Sequence, residues 1–380
     1  MTGLSEARLR TVSANELEAA FDAPEALTIG VEEEVMLLDP ESFDLKPCAP
    51  KLLERLRDDL RFKAELPASQ LEIITAPDQS ASATLAALAA GRKDLARVAE
   101  GLARPAAAGV HPFAGTEGTL STSERYDRTR DEYGPVARRQ LVGALQVHVA
   151  VGDAGRALAV YNALRGYLPE LAALAANGAY YAGHDSELAS MRPKLSEMLP
   201  RQGLPPEISS WEALAAELRW GAASGTVPEP RLWWWELRPH IEFGTLELRV
   251  PDAQTTLAEA GGVIALSQAL VAWLSSRCEA GEETPSYPTW RIEENRWSAC
   301  RWGVEGRMAD LETGELQPTR ERLGRLLDAV SPTASELGSA ELLDEARELV
   351  AANGAMRQRE VAARAGPEGL APWMAERFTA

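Results

Sequence analysis

The chain has 380 residues, 45% hydrophobic and 25% charged, which are ordinary globular values that exclude wholesale disorder and allow a sizeable core. A formal net charge of -18 disfavours a general nucleic-acid or anionic-membrane surface, because such partners repel an acidic protein. Cys48, Cys278 and Cys300 are scattered, with neither zinc-site spacing nor the density of a disulfide framework, so reduced, structural thiols are expected.

In chain order, residues 1–26 form a polar lead-in of mixed charge with no apolar run, which is not the pattern of a secretory signal. Residues 27–38 read as a strand ended by Asp39-Pro40, 48–60 as a helix, and 71–75 as a strand stopped by Ala76-Pro77. Alanine and leucine recur at helical spacing over 80–102, with Asp78 or Ser80 available as N-cap. A short strand is expected at 105–111, then a polar loop with Tyr126 and Arg130, a strand at 144–151 and a helix from 155 to about 177. Residues 177–206, polar and rich in glycine and proline, read as a functional loop. Segments 233–239 and 245–250 are two strands of a hairpin turned by 241–244. Residues 257–278 are helical, and the apolar stretch 262–276 within them is too short to span a bilayer comfortably. Residues 310–380 form a helical C-terminal portion. The fold class is therefore α+β: an antiparallel or mixed sheet whose concave face holds the polar strand residues, backed by helices, in a single domain over 1–380. A soluble, cytoplasmic protein is expected.

Five carboxylates stand at strand-like spacing in three apolar stretches. In an extended strand alternate residues share a face, so Glu32 and Glu34 point one way while Val31, Glu33 and Val35 point the other. Glu247 and Arg249 face together by the same rule, as do Gln146 and His148. Glu65 and Glu72 flank the second stretch. Buried carboxylates with few positive partners are costly unless they hold cations, so Glu32, Glu34, Glu65, Glu72 and Glu247 read as a magnesium site. Two plainer readings stay open: some of these glutamates, and Glu33, on a solvated outer face, and an internal Glu247–Arg249 ion pair serving only the fold. Arg238 has the same ambiguity, and the tryptophan run beside it reads as core before it reads as a stacking platform. His111 and His240 are loop residues without an assigned role. Neither a GxxxxGK[ST] loop nor a GxGxxG turn is present, which disfavours P-loop enzymes and dinucleotide dehydrogenases, and HExxH and GxSxG are missing too.

The ordered series GVEEE (30–34), EIITAP (72–77), GVHPFA (109–114), QVHV (146–149) and WWELRPHIEFGTLELRVPD (234–252) resembles the ATP-dependent carboxylate-amine ligases, also called glutamate-cysteine ligase type 2. Further matches are LPRQGLPP (199–206), ENRWSACRWG (294–303) and RQR (357–359). The resemblance implies a curved, mainly antiparallel sheet forming a glutamine synthetase-like active-site funnel, in which Glu32, Glu34, Glu65, Glu72 and Glu247 hold Mg2+ against the ATP phosphates. It implies that Arg249 contacts the transferred phosphate, that Arg238 and Arg192 serve phosphate or substrate carboxylate, and that His148 and Gln146 lie at the ATP and substrate side. Family members commonly carry HVHVG where this chain has Gln146 and Ala150. The implied activity is a weak glutamate-cysteine ligation through a gamma-glutamyl phosphate. A different acid or amine, or nucleotide binding without turnover, are the alternatives. The expected partners are small molecules alone (glutamate, an amine such as cysteine, and ATP), with no nucleic acid or membrane, in a chain compatible with a homo-oligomer.

Overall fold

Strand β1 (Ile29–Leu38) is the axis on which the architecture is built. The structure is a computed structural model describing residues 6–380, so the first five residues of the expected lead-in lie outside the described residues. Around β1 gather β2 (Phe62–Ala64), β3 (Gln70–Ile74), β4 (Arg104–Ala106), β5 (Leu145–Ala150), β6 (Leu237–His240) and β7 (Thr245–Leu248). They form one seven-stranded sheet in the order β2-β3-β1-β5-β7-β6, with β4 added beside the end of β1, and every pairing is antiparallel. The α+β architecture with an antiparallel sheet backed by helices is thus present.

Alternation assigns the two faces of this sheet. Val31, Val35, Leu71, Ile73, Val147, Val149, Leu246 and Leu248 enter the main hydrophobic core, where the helices Ala81–Ala99 and Leu257–Glu279 pack behind them. Burying such side chains stabilises each by about 1.5–3 kcal/mol, which fixes the register, since a one-residue slip of β1 would turn Glu32 and Glu34 into the core and Glu33 out of it. The helix Leu257–Glu279 starts at a capping box between Thr256 and Glu259. It runs longer than the apolar stretch seen in the sequence, and by length and composition it could cross a membrane, yet 83% of its most apolar window is buried inside the protein. Its all-round apolarity reflects neighbours on every side.

Several boundaries differ from the sequence reading for local reasons. The lead-in contains the helix Ala14–Asp22, capped by Ser13, whose Leu17 and Phe21 are core residues; too few apolar positions surround them to show in the sequence. The segment 155–177 breaks into Ala154–Leu164 and Leu168–Leu174, because Pro169 cannot continue a helix and instead opens the next one. The loop carrying Tyr126 and Arg130 is the helix Glu124–Tyr133, capped by Ser123 and buried only through Tyr126 and Thr129. The first hairpin strand starts at Leu237 and not at the tryptophans, so Trp233 to Trp235 lie half-buried before it. Gly244, at φ 66°, takes the left-handed turn that closes the hairpin.

Candidate functional site

Strand pairing sets the polar face of the sheet out in rows. Lys63 lies opposite Glu72 on β2 and β3, and Glu72 opposite Glu34 on β1. One pair further along, Glu32 faces Gln146, and beyond that His148, Glu247 and Arg238 stand side by side across β5, β7 and β6. Directly opposed residues of an antiparallel pair have their side chains on the same face. The sequence reading of shared faces therefore becomes physical proximity: the polar row floors a cavity of about 350 Å³.

At one end of the floor the glutamates crowd together without arginine partners in contact. Glu34 accepts hydrogen bonds from the Ala144 backbone N–H at 2.8 Å and from Gln146 Nε2 at 2.9 Å. Burial, and then the neighbouring Glu65, push its carboxyl up to about 7, against the pull of Arg249 and Arg192. Burial also raises Glu65, and it raises Glu72 well above the usual range with help from Glu32, Glu65 and Glu34. Glu65 stands just beyond β2 in the connecting loop, so it reaches the cluster from the rim and not from the sheet.

At the other end charges are matched. Glu247 is fully buried and bound by both arginines: Arg238 donates to it from Nε at 2.6 Å and Nη2 at 3.0 Å, and Arg249 Nη1 donates to it as well as to Gln146. Burial alone would raise this carboxyl, but the Arg238 and Arg249 charges outweigh it and hold it well below the normal range. Arg238 also donates to the carbonyls of Arg231 and Trp233, so most of its donors are committed. The internal ion pair contemplated from sequence is real, and Glu247 lies beneath the cavity surface and not on it.

His148 occupies the seam between the two ends. Its Nδ1 shares a hydrogen bond with the Thr245 hydroxyl at 3.0 Å. Its Nε2 is buried without a hydrogen-bond partner, 3.6 Å from Glu32 and 3.9 Å from Glu247. These three residues bring one ligand atom each within 4.8 Å of the others, the one such grouping among the described residues. An orphaned imidazole nitrogen between two carboxylates is a donor set that suits a cation.

Arg192 enters from the segment following Asn177 and lines the cavity. Asp252 receives its Nε at 2.7 Å together with the Ser190 hydroxyl and the Asn177 N–H, and carbonyls of Arg249 and Val250 receive its Nη2. Gly109 lies so close to Asp252 that a Cβ there would fall 2.6 Å from its carboxylate. Arg192 thus buttresses the loop that carries Arg249. Several lining residues were given no site role by the sequence reading, among them His240, Trp234 and Arg296. His240 belongs to β6, stacks on Phe243 with centroids 4.2 Å apart, and is pushed by burial down to about 3, hence neutral. Trp234 lines the cavity, and Arg296 closes a wall by a bidentate pair with Glu236 at 2.7 and 2.6 Å. The matched strings around 236 and 296 were visible, but their pairing across 60 residues was not.

Residues 28–375 match the family described as "Glutamate-cysteine ligase family 2(GCS2)". Among similar proteins, "Putative glutamate--cysteine ligase 2-3" of Rubrobacter xylanophilus is 36% identical over 92% of this chain and 96% of its own length. "Putative glutamate--cysteine ligase 2-1" of Frankia casuarinae is 34% identical over 92% and 94%. A solved glutamate–cysteine ligase of Francisella tularensis, in complex with AMP, shares the fold at TM-score 0.69 with 10% identity, covering 93% of this chain and 88% of that one. A bifunctional glutathione synthetase of Pasteurella multocida does so at TM-score 0.62 and 14% identity, with this chain spanning 54% of its length. The chain belongs to the glutamate-cysteine ligase family 2.

Proposed function

We propose that this family member is an ATP-dependent carbon–nitrogen ligase that joins the side-chain carboxylate of L-glutamate to an amine, with L-cysteine the first amine to test. The observation carrying this reading is the cavity floor: Glu72 buried, with Glu34 and Glu65 half-buried beside it, all three with raised affinity for protons and facing Arg249 and Arg192. Such a floor is poorly suited to an anionic substrate alone and well suited to one accompanied by divalent cations. Glu32, Glu34, Glu65 and Glu72 would hold Mg2+, with His148 and Glu247 bordering the same site, and the ion would supply charge neutralisation for the ATP phosphates.

In the first step a glutamate carboxylate oxygen bonds to the ATP gamma-phosphorus while the bond from that phosphorus to the bridging oxygen breaks, giving an acyl phosphate and ADP. Negative charge migrates to the bridging oxygen, and Arg249, which donates to Gln146 and Glu247, would follow it. Arg238 acts one layer back by fixing Glu247. In the second step the amine nitrogen attacks the acyl carbon and phosphate leaves, the amine proton passing to a carboxylate of the floor or to the departing phosphate. His240, neutral and stacked on Phe243, gives this chamber an uncharged flank.

Phosphate release from ATP across a panel of acids and amines with Mg2+ tests the proposal. Turnover requiring glutamate and an amine supports it, and the amine giving the highest kcat/KM identifies the second substrate. Tight nucleotide binding with no phosphate release for any pair would contradict it.

A further inference from the structure

We propose that Lys63 and Arg125 form a cationic rim that clamps the polyphosphate of the nucleotide, an inference that rests on the reading of the cavity as an ATP site. The basic side chains lining the cavity divide into two groups. Five already have carboxylate partners: Arg192 has Asp252, Arg238 and Arg249 share Glu247, Arg296 has Glu236, and Arg231 has Glu229. Lys63 and Arg125 line the same cavity, are exposed, and have no carboxylate in ion-pair contact among the described residues.

Their placement is built. Lys63 stands opposite Glu72 across the β2–β3 pair and so projects on the polar face. Arg125 sits in the first turn of the helix Glu124–Tyr133, and the next residue pins that turn down: the Tyr126 hydroxyl donates to the Ala64 carbonyl at 2.5 Å. The approach to this helix is stitched to the same segment, with Ala68 N–H donating to the Thr119 carbonyl and Ser121 N–H to the Leu66 carbonyl, both at 2.8 Å. Two cations drawn from separate elements are thereby held on one rim, above the acidic floor, and Arg125 acts on Glu65 through space without contacting it. If these cations existed to neutralise the glutamates they would touch them, as Arg238 touches Glu247. The gap between acidic floor and basic rim suits a ligand that is itself polyanionic on the rim side and cation-bearing on the floor side. An extended row of phosphates has that character, and a single carboxylate does not.

The full-length chain carrying Arg125→Gln, Lys63→Gln or both, with Arg125→Lys as the charge-preserving control, supplies the test. Steady-state KM for MgATP and for glutamate, and calorimetric binding of MgADP, are measured beside the melting temperature. The expected result is a rise of about fivefold in KM for MgATP and in the MgADP dissociation constant for each single change, and of more than tenfold for the pair. Arg125→Lys should restore most of the loss, glutamate KM and melting temperature should stay at wild-type values, and rising salt should shrink the difference. Unchanged nucleotide parameters in the double variant, or a change confined to glutamate KM, would overturn the clamp. Wild-type protein that neither binds MgADP nor turns over ATP would instead overturn the ligase reading, so the two failures are distinguishable.

Discussion

Glu33 and Glu34 are chain neighbours on one strand, the first fully buried and the second half-buried in the cavity wall, and they meet opposite electrostatic fates. Glu33 points into the core, where Arg92 grips it at 2.8 and 2.5 Å; neither side chain is exposed, and the remaining Arg92 donors go to the carbonyls of Gln254, Thr255 and Phe378. Glu34 points into the cavity, among Glu65 and Glu72, with amide donors but no arginine in contact. The first arrangement is complete in itself and ties β1 to the chain's last residues. The second becomes electrostatically complete only when positive charge arrives from outside. The difference separates a charge that serves the fold from one that the proposed ligation would use.

The largest effect that could sharpen this contrast is on the Glu33 side. Arg92→Met would leave a buried carboxylate unpaired and lower unfolding stability by about 3–5 kcal/mol in urea titrations, with or without Mg2+. A loss below about 1 kcal/mol, or rescue by Mg2+, would erase the distinction between the two faces. Next comes Glu247→Gln, which strips the buried Arg238 and the half-buried Arg249 of their counter-charge; a loss of about 2–4 kcal/mol is expected at pH 7. Because the folded protein holds Glu247 well below its ordinary value, that contribution is present above about pH 4.5 and is lost as pH falls through the depressed folded value. The gap between wild type and variant should therefore close in acid. Magnesium affinity measured on the same variant decides its second role: unchanged affinity marks Glu247 as an anchor for arginines, and lost affinity marks it as a ligand.

The smallest shift, and the one of opposite sign, belongs to Glu34→Gln. A carboxyl raised to about 7 binds more protons folded than unfolded, so its contribution favours the fold below about pH 4.5 and drains away as pH rises through 7. Metal-free wild type should lose stability between those limits. The variant, which keeps the raised Glu65 and Glu72, should show a shallower slope and melt a few degrees higher at pH 7.5, while its ATP turnover falls at least a hundredfold, roughly the scale of losing a preorganised charge partner. A variant less stable than wild type at pH 7.5 would show that Glu34 is satisfied as it stands.

Much of this face was legible because strand alternation is local. Two residues' spacing sufficed to put Glu32 with Glu34, Gln146 with His148 and Glu247 with Arg249, and the antiparallel register then brought the three pairs together. What could not be read depends on partners remote in sequence. Glu33, open to a solvated reading, is buried because Arg92 lies 59 residues away on a helix behind the sheet. Pro239 before His240 reads as a loop signal, yet proline is tolerated in β6, an edge strand paired on one side only. The helix Glu124–Tyr133, which supplies Arg125, buries too little apolar surface to display a periodic face.

The central claim is that the Glu34, Glu65 and Glu72 cluster exchanges protons for divalent cations. Calorimetric titration of Mg2+ into the ADP-bound protein at pH 7, in two buffers of different ionisation enthalpy, measures this directly. Wild type should bind Mg2+ with net proton release, and Glu34→Gln should release fewer protons. Absence of Mg2+ uptake, or proton release identical in the two proteins, would contradict the account.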